Sequence, residues 1–282
     1  MQTTCLLFLM DLKFMYITND EEVALIAQNA GVNRIWIDLE RLGKENRQRN
    51  MNTVKSEHSF EDIKKIKSLL TTSNLLVRID PINPNSKSDI EKVINYGADL
   101  IMLPMFKTCE EVEFFIKCVS GRAKTVLLLE TKEAAENLNN VLKISGIDEI
   151  HIGLNDLHLA YGLKFMFELL DNGVVENLCK QMKLAGITYG FGGIARIGEG
   201  LLPAENIIAE HFRLGSSRVI LSRSFCDCLE MKDRNLLIRE FESGVKGIRN
   251  WEDVLEYVNE AYFTKNRKEI RRIVNKICDR GE

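Results

Sequence analysis

A parallel (β/α)8 barrel with a C-terminal helical extension is the fold class this sequence predicts, and three observations predict it. Short apolar runs alternate with amphipathic stretches from Lys13 to about Leu221. The runs lack the strict alternation of a half-exposed strand, so each suits a strand covered on both faces. Several of the helical patterns between them stop near a glycine, at Gly31, Gly97, Gly121, Gly146 and Gly186, where a C-terminal cap is expected. Eight strand–helix units in series favour closure into a barrel. A doubly wound open sheet would want a glycine-rich dinucleotide turn after its first strand, and Thr18-Asn19-Asp20 is not one.

In chain order, a strand at residues 13–18 precedes a helix at 21–29, and a strand at 34–39 runs into a long polar connection, residues 41–59. That connection carries Arg41, Lys44, Arg47, Arg49 and Lys55, and long loops of this kind are commonly functional. A helix at 60–70 follows, then strand 75–79 with helix 87–95, strand 100–103 with helix 110–119, and strand 125–129 with helix 132–142. The sixth strand, 149–152, leads to a helix at 167–184, and strands 187–191 and 218–221 complete the eight. Residues 1–230 are therefore assigned to the barrel. Residues 231–282, helical in pattern around 236–241, 251–262 and 268–277, form an extension that completes or caps the barrel, or meets a partner subunit in a homo-oligomer.

Bulk properties exclude several classes of function. Hydrophobic residues make up 45% of the 282 and charged residues 28%, the balance of an ordinary globular protein. A net charge of -3 gives no general attraction to nucleic acid or to a membrane surface. Seven cysteines without regular spacing point to a reducing compartment, and Cys226 and Cys228 are too close for the usual zinc pair. The run from Cys5 to Met10 lacks a basic leader and is soon interrupted by Asp11 and Lys13, so a signal peptide is not expected. No stretch approaches the roughly 20 apolar residues of a membrane span. A cytoplasmic location is the expectation.

In a parallel barrel the reactive end is where the strands finish. Those ends carry Asp38 and Glu40, Arg78 and Asp80, Pro104, Glu130, Asp156, Gly192-Gly193, and Ser222-Arg223. So much charge at the ends of apolar strands needs a cation, mutual pairing or a charged ligand, because burying it unpaired is costly. Glu130 closes Leu127-Leu128-Leu129-Glu130-Thr131, and Asp156 closes Ile150-His151-Ile152-Gly153-Leu154-Asn155-Asp156-Leu157. Two carboxylates on neighbouring strands suit a hard divalent cation, Mg²⁺ or Mn²⁺ rather than Zn²⁺. Each also suits the cap of a following helix, Asn155-Asp156 in particular. Arg78, ending an apolar strand, suits the stabilisation of an oxyanion, an ion pair with Asp38 or Glu40, or both.

Taken together, Ile37-Asp38-Leu39-Glu40, Leu76-Val77-Arg78, Gly97-Ala98-Asp99-Leu100-Ile101-Met102-Leu103-Pro104, Leu129-Glu130-Thr131 and Gly153-Leu154-Asn155-Asp156-Leu157 resemble the HpcH/HpaI aldolase and citrate lyase family. The resemblance runs from about residue 13 to 225. It implies a TIM barrel and a Mg²⁺- or Mn²⁺-dependent carbon–carbon lyase acting on a 2-oxo acid and an aldehyde. It also implies that Glu130 and Asp156 are the metal ligands, that Arg78 stabilises a pyruvate enolate, and that the backbone around Gly153, Leu154 and Asn155 holds the substrate carboxylate.

The sequence departs from that pattern at one point. Aldolases of the family often carry histidine directly after the glutamate matched by Glu40, and citrate-lyase-like members an aspartate; here Arg41 follows. An arginine stays protonated and is no ordinary base. The candidates for that role are a metal-bound water oriented by Glu40, His58, or Lys44. Gly190-Phe191-Gly192-Gly193-Ile194-Ala195-Arg196-Ile197-Gly198 and Ser222-Arg223-Ser224 follow the last two strands, where barrels frequently bind phosphate. With the basic 41–49 segment they suggest a phosphorylated or acidic group at the distal end of the substrate, met by Arg41, Gly193 and Arg223. His151 is expected to face away from the barrel interior and His158 to begin a loop. Phe114, Phe115, Phe165 and Phe167 read as core. The competing functions are a citrate-lyase-like lyase of a coenzyme A thioester, a Schiff-base aldolase using Lys107 or Lys124, and a non-catalytic barrel that binds an anionic metabolite.

Overall fold

The computed structural model describes residues 11–43, 58–223, 225–226 and 233–280. Eight parallel strands close on themselves in sequence order, the first pairing with both the second and the eighth. They are β1 (Lys13–Ile17), β2 (Arg34–Asp38), β3 (Asn74–Arg78), β4 (Leu100–Leu103), β5 (Lys124–Leu129), β6 (Glu149–Ile152), β7 (Thr188–Ile194) and β8 (Arg218–Leu221). Around them lie α1 (Glu21–Asn29), α2 (Phe60–Leu69), α3 (Ser86–Asn95), α4 (Cys109–Val119), α5 (Lys132–Glu136), α6 (Leu138–Val141), α7 (Leu154–Ala160), α8 (Glu168–Asp171), α9 (Val174–Leu184) and α10 (Ala204–Leu214). The chain ends in two long helices, α11 (Arg234–Leu255) and α12 (Glu260–Arg280). Among the described residues, no helix is long and apolar enough to cross a membrane.

The local chemistry explains where the helices start. Asp20 accepts a hydrogen bond from the Val23 amide at the head of α1, and Thr108 with Glu111 forms a capping box on α4. The five glycines expected to end helices all have positive φ, between 69° and 97°. Two helical patterns are broken where the sequence reads as continuous. The stretch 132–142 divides at Asn137, and 167–184 divides at Gly173, which takes up φ 84°. The apolar spacing runs on through both breaks, so only the backbone reveals them. α11 packs against α1 and α10, filling the place of the barrel's last helix, and α12 lies across α8 and α10.

Alternation along each strand sorts its side chains. Ile35, Ile37, Ile150 and Ile152 point outward and are buried under the helices. The inward set forms layers. At the base, Arg34 grips Glu149 through two hydrogen bonds of 2.6 and 2.7 Å, and Arg218 adds two more of 3.2 and 3.3 Å. Above it Met15, Trp36, Leu76, Leu100, Met102, Val126 and Leu128 make a second, smaller core inside the barrel. Charge returns at the mouth.

Candidate active site

A cavity of about 200 Å³ opens at the C-terminal end of the strands. Its wall includes Glu40, Arg78, Glu130, Gly153, Leu154, Asn155, Asp156 and Gly193. Eight of the residues singled out in the sequence thus come to one place, from β3 and β7, from just beyond β2, β5 and β6, and from the first turn of α7.

Arg78 ends β3 next to Asp38 at the end of β2, their Cα positions paired in register. Its Nε and Nη2 each donate to Asp38 at 2.8 Å, and Nη1 lies 3.2 Å from Glu40 Oε2. Both carboxylate side chains are only 2% exposed. Burial works against the charged guanidinium, but Asp38 and Glu40 outweigh it and raise its pKa, so Arg78 stays a cation. The face of the Trp36 ring lies beneath, 5.2 Å from the guanidinium carbon. The ion-pair reading of Arg78 is met, and the guanidinium also lines the cavity.

Glu130 follows β5 and is 3% exposed. Its Oε1 accepts from the Met105 amide at 3.1 Å. Met105 has φ 53°, one of two non-glycine residues with positive φ among those described, so a sparsely populated backbone conformation aims that amide at the carboxylate. On the other side Gly153 fits closely. A Cβ there would lie 2.8 Å from Glu130 Oε2 and 2.9 Å from its Cβ, so only glycine leaves room for this carboxylate. Asp156 is not on a strand; it stands in the first turn of α7, where Gly153 is the N-cap residue and, among the described residues, no side chain caps the helix. The Gly153 amide itself donates to Leu129 O at 2.9 Å, within the sheet. That leaves Leu154, Asn155 and Asp156 as the first-turn backbone bordering the cavity.

His151 corrects an expectation. It faces the interior, 1% exposed, and lines the cavity with Trp36 and Ile220. Counting alternate residues back from Asp156 puts it outside, but the strand ends at Ile152, and residues from Leu154 onward are helical, so that count crosses a change of period. Its Nε2 donates to the Gly192 carbonyl at 3.1 Å. Gly192, with φ 54°, lies where the β7–β8 register shifts between Gly190 and Gly193, and that irregularity carries the carbonyl to His151. Burial holds the His151 imidazole down at about 4, with the Gly192 carbonyl pulling the other way. His158 also differs from expectation: it lies within α7, buried, with Nδ1 3.1 Å from Leu154 O. Phe115, Phe165 and Phe167 are buried as expected, whereas Phe114 is 38% exposed.

Other sequence candidates fall outside this cavity. His58 lines a neighbouring one with Arg41 and Asp80, and its Nδ1 accepts from the Asp38 amide at 2.9 Å. In the neutral ring that bond leaves the proton on Nε2. The backbone amides of Arg41 and Leu42 both donate to Asp80, at 2.7 and 2.8 Å. Arg223 is exposed beyond β8. Lys44, Arg47, Arg49 and Lys55 lie outside the described residues. Of the Schiff-base candidates, Lys107 is half exposed and paired with Glu133 at 3.0 Å, and Lys124 opens β5 at the opposite end of the barrel. Trp36, His151 and Met105 belong to the site although the sequence assigned them no role in it, whereas Asp38 enters as the ion-pair partner expected for Arg78; the alternation Arg34-Trp36-Asp38 was the available signal for Trp36.

Among the described residues no group of three or more His, Cys, Asp and Glu side chains could hold a metal ion. Magnesium does not require one, because it commonly keeps waters and takes one or two carboxylates together with substrate oxygens. Glu130 and Asp156, two hard oxygen donors on one cavity with the first cradled against Gly153, fit a cation of that kind.

Comparison with known proteins bears on the same segments. The profile of the HpcH/HpaI aldolase/citrate lyase family matches residues 17–182, more than half of the chain. Over 147 residues, 40% of this chain, it is 28% identical to the hydroxypyruvate/pyruvate aldolase of Rhizorhabdus wittichii. It is 23% identical over 147 residues, 39% of its length, to a 2-keto-3-deoxy-L-rhamnonate aldolase of Escherichia coli. These matches span only 59% and 53% of the relatives' own lengths. An HpcH/HpaI aldolase/citrate lyase family protein from Burkholderia cenocepacia has the same fold, with a TM-score of 0.61 at 12% identity, over 85% of this chain and 95% of that one. The chain belongs to the HpcH/HpaI aldolase/citrate lyase family.

Proposed function

We propose that this chain is a divalent-metal-dependent carbon–carbon lyase that makes or cleaves a 2-oxo acid by way of the pyruvate enolate. One observation carries the reading: Glu130, Asp156 and an arginine clamped by two buried carboxylates line a single cavity. Two matched relatives, named for hydroxypyruvate or pyruvate and for 2-keto-3-deoxy-L-rhamnonate, support 2-oxo acids as the substrate class.

Glu130 and Asp156 would hold Mg²⁺ or Mn²⁺, and the cation, when bound, supplies Lewis acidity at the keto oxygen. Arg78 meets the negative charge that develops on that oxygen. Because Asp38 and Glu40 already fix its plane, little reorganisation accompanies the reaction. The first-turn backbone at Leu154, Asn155 and Asp156 receives the substrate carboxylate. Glu40, beside Arg78 and on the cavity wall, takes the proton of the aldol hydroxyl during cleavage. The bond between C3 and C4 then breaks, its electron pair passes to the enolate, and a proton returned to C3 gives pyruvate. His58, bonded to the Asp38 amide, is a positioning residue for the end of β2. Arg41 and Arg223 are proposed to meet an acidic or phosphorylated end of the aldehyde partner.

Exchange of the pyruvate methyl protons in D₂O tests this half-reaction without knowledge of the aldehyde. Exchange that EDTA abolishes and Mg²⁺ or Mn²⁺ restores is the expected result. Exchange that survives EDTA refutes metal dependence, and none under any condition refutes the enolate.

A further inference from the structure

The floor of the same cavity carries a second feature that the lyase reading does not use. Barrel layers take side chains from alternate strands. Arg34 and Arg218 both donate to Glu149, and the three so mark one layer from β2, β6 and β8. Two residues further along those strands come Trp36, His151 and Ile220, the next layer up, and all three line the cavity. Trp36 and His151 are each 1% exposed. Among the described residues, Trp36 Nε1 and His151 Nδ1 are both buried with no hydrogen-bond partner. Buried polar atoms are seldom left this way, and here a donor and an acceptor share one layer of the cavity, the Trp36 ring directly beneath Arg78.

We propose that Trp36 and His151 form a hydroxyl-binding subsite in the cavity floor, selecting 2-oxo acids that carry a hydroxyl at their buried end. The indole N–H can only donate. His151 is neutral above its depressed pKa, and because Nε2–H is committed to the Gly192 carbonyl, Nδ1 can only accept. A hydroxyl satisfies both atoms at once, accepting from the indole and donating to the imidazole. A carboxylate has no proton for His151, and an ammonium has no lone pair for Trp36. The proposal rests on the reading of this cavity as a 2-oxo-acid site.

The test titrates the full chain with Mg²⁺ against pyruvate and against 3-hydroxypyruvate, which differ by one hydroxyl on C3, followed by calorimetry. Hydroxypyruvate is expected to bind about tenfold more tightly or better, and His151→Phe and Trp36→Phe are each expected to collapse that ratio to about one. Equal binding by the wild type means that the two atoms hold only water, and overturns the proposal; so does a ratio that survives both substitutions. Should a variant fail to fold, the Trp251→Phe protein decides, since Trp36 is then the sole tryptophan. Its emission should shift with hydroxypyruvate and not with pyruvate, and identical spectra overturn the subsite. The two readings fail separately. A hydroxypyruvate preference without any deuterium exchange sinks the lyase and keeps the subsite, whereas exchange without preference does the reverse. Binding of neither ligand sinks both.

Discussion

Replacing Arg78 by lysine keeps the charge and removes the geometry. The guanidinium now reaches both Asp38 oxygens at 2.8 Å and lies 3.2 Å from Glu40. An ammonium is a single point of charge on a flexible stem and cannot hold all three contacts in one plane. Two consequences separate. In the fold, Asp38 and Glu40 keep a positive neighbour, so unfolding by denaturant should show a loss of about 1–3 kcal/mol. Arg78→Met strands both carboxylates and should cost about 3–5 kcal/mol. In the reaction, losing one fixed donor to a developing oxyanion is worth about 10²–10³ in rate, so metal-dependent deuterium exchange into pyruvate should fall by that factor in the lysine variant. Metal affinity by calorimetry should stay near wild type, because Arg78 is not among the proposed ligands. A lysine variant that exchanges pyruvate as fast as wild type removes Arg78 from the mechanism.

Glu130→Gln and Asp156→Asn should each weaken Mn²⁺ binding at least about tenfold by calorimetry, and unchanged affinity refutes the metal assignment. Gly153→Ala introduces a methyl group 2.8 Å from Glu130 Oε2; displacing that carboxylate should lower metal affinity about 10–100-fold, and a variant binding metal normally refutes the cradle. Glu149 should govern acid stability: burial alone would raise its pKa, but Arg34 and then Arg218 prevail and bring it to about 2. A depressed carboxyl pKa contributes stability above the unfolded value of 4.5, and that part is lost as pH falls toward 2. Glu149→Gln should flatten the stability curve across that window and, by leaving two arginines facing each other, cost about 3–5 kcal/mol near neutral pH. A slope unchanged by the substitution refutes the base layer as its source.

Much of the barrel could be read in advance, because its signals are local. Apolar runs marked all eight strands to within a few residues, and Gly31, Gly97, Gly121 and Gly186, at positive φ, stood two residues past the ends of helices, whereas Gly146 lies five past α6. Glu130 and Arg78 were visible as charges terminating apolar strands, and Asp156 was visible too, although it lies in the first turn of α7 rather than at a strand end. What escaped were features that depend on a neighbour's position. The break at Gly173 lies inside an uninterrupted helical pattern, and the inward turn of His151 follows from where β6 gives way to α7. In the sequence His58 is a candidate base or a surface residue beside the helix start at Ser59, yet it is buried and its Nδ1 accepts from the backbone of β2.

By itself, the sequence determined the strand count, the order of strands and helices, and which ends carry charge, since each depends on patterning over ten residues or so. The tertiary structure alone decided which charges meet. Arg78 and Asp38 are 40 residues apart, Arg34 and Glu149 are 115 apart, and Trp36 comes to share a layer with His151. Those meetings are set by the register and closure of the barrel, a cooperative property of all eight strands that no single segment encodes.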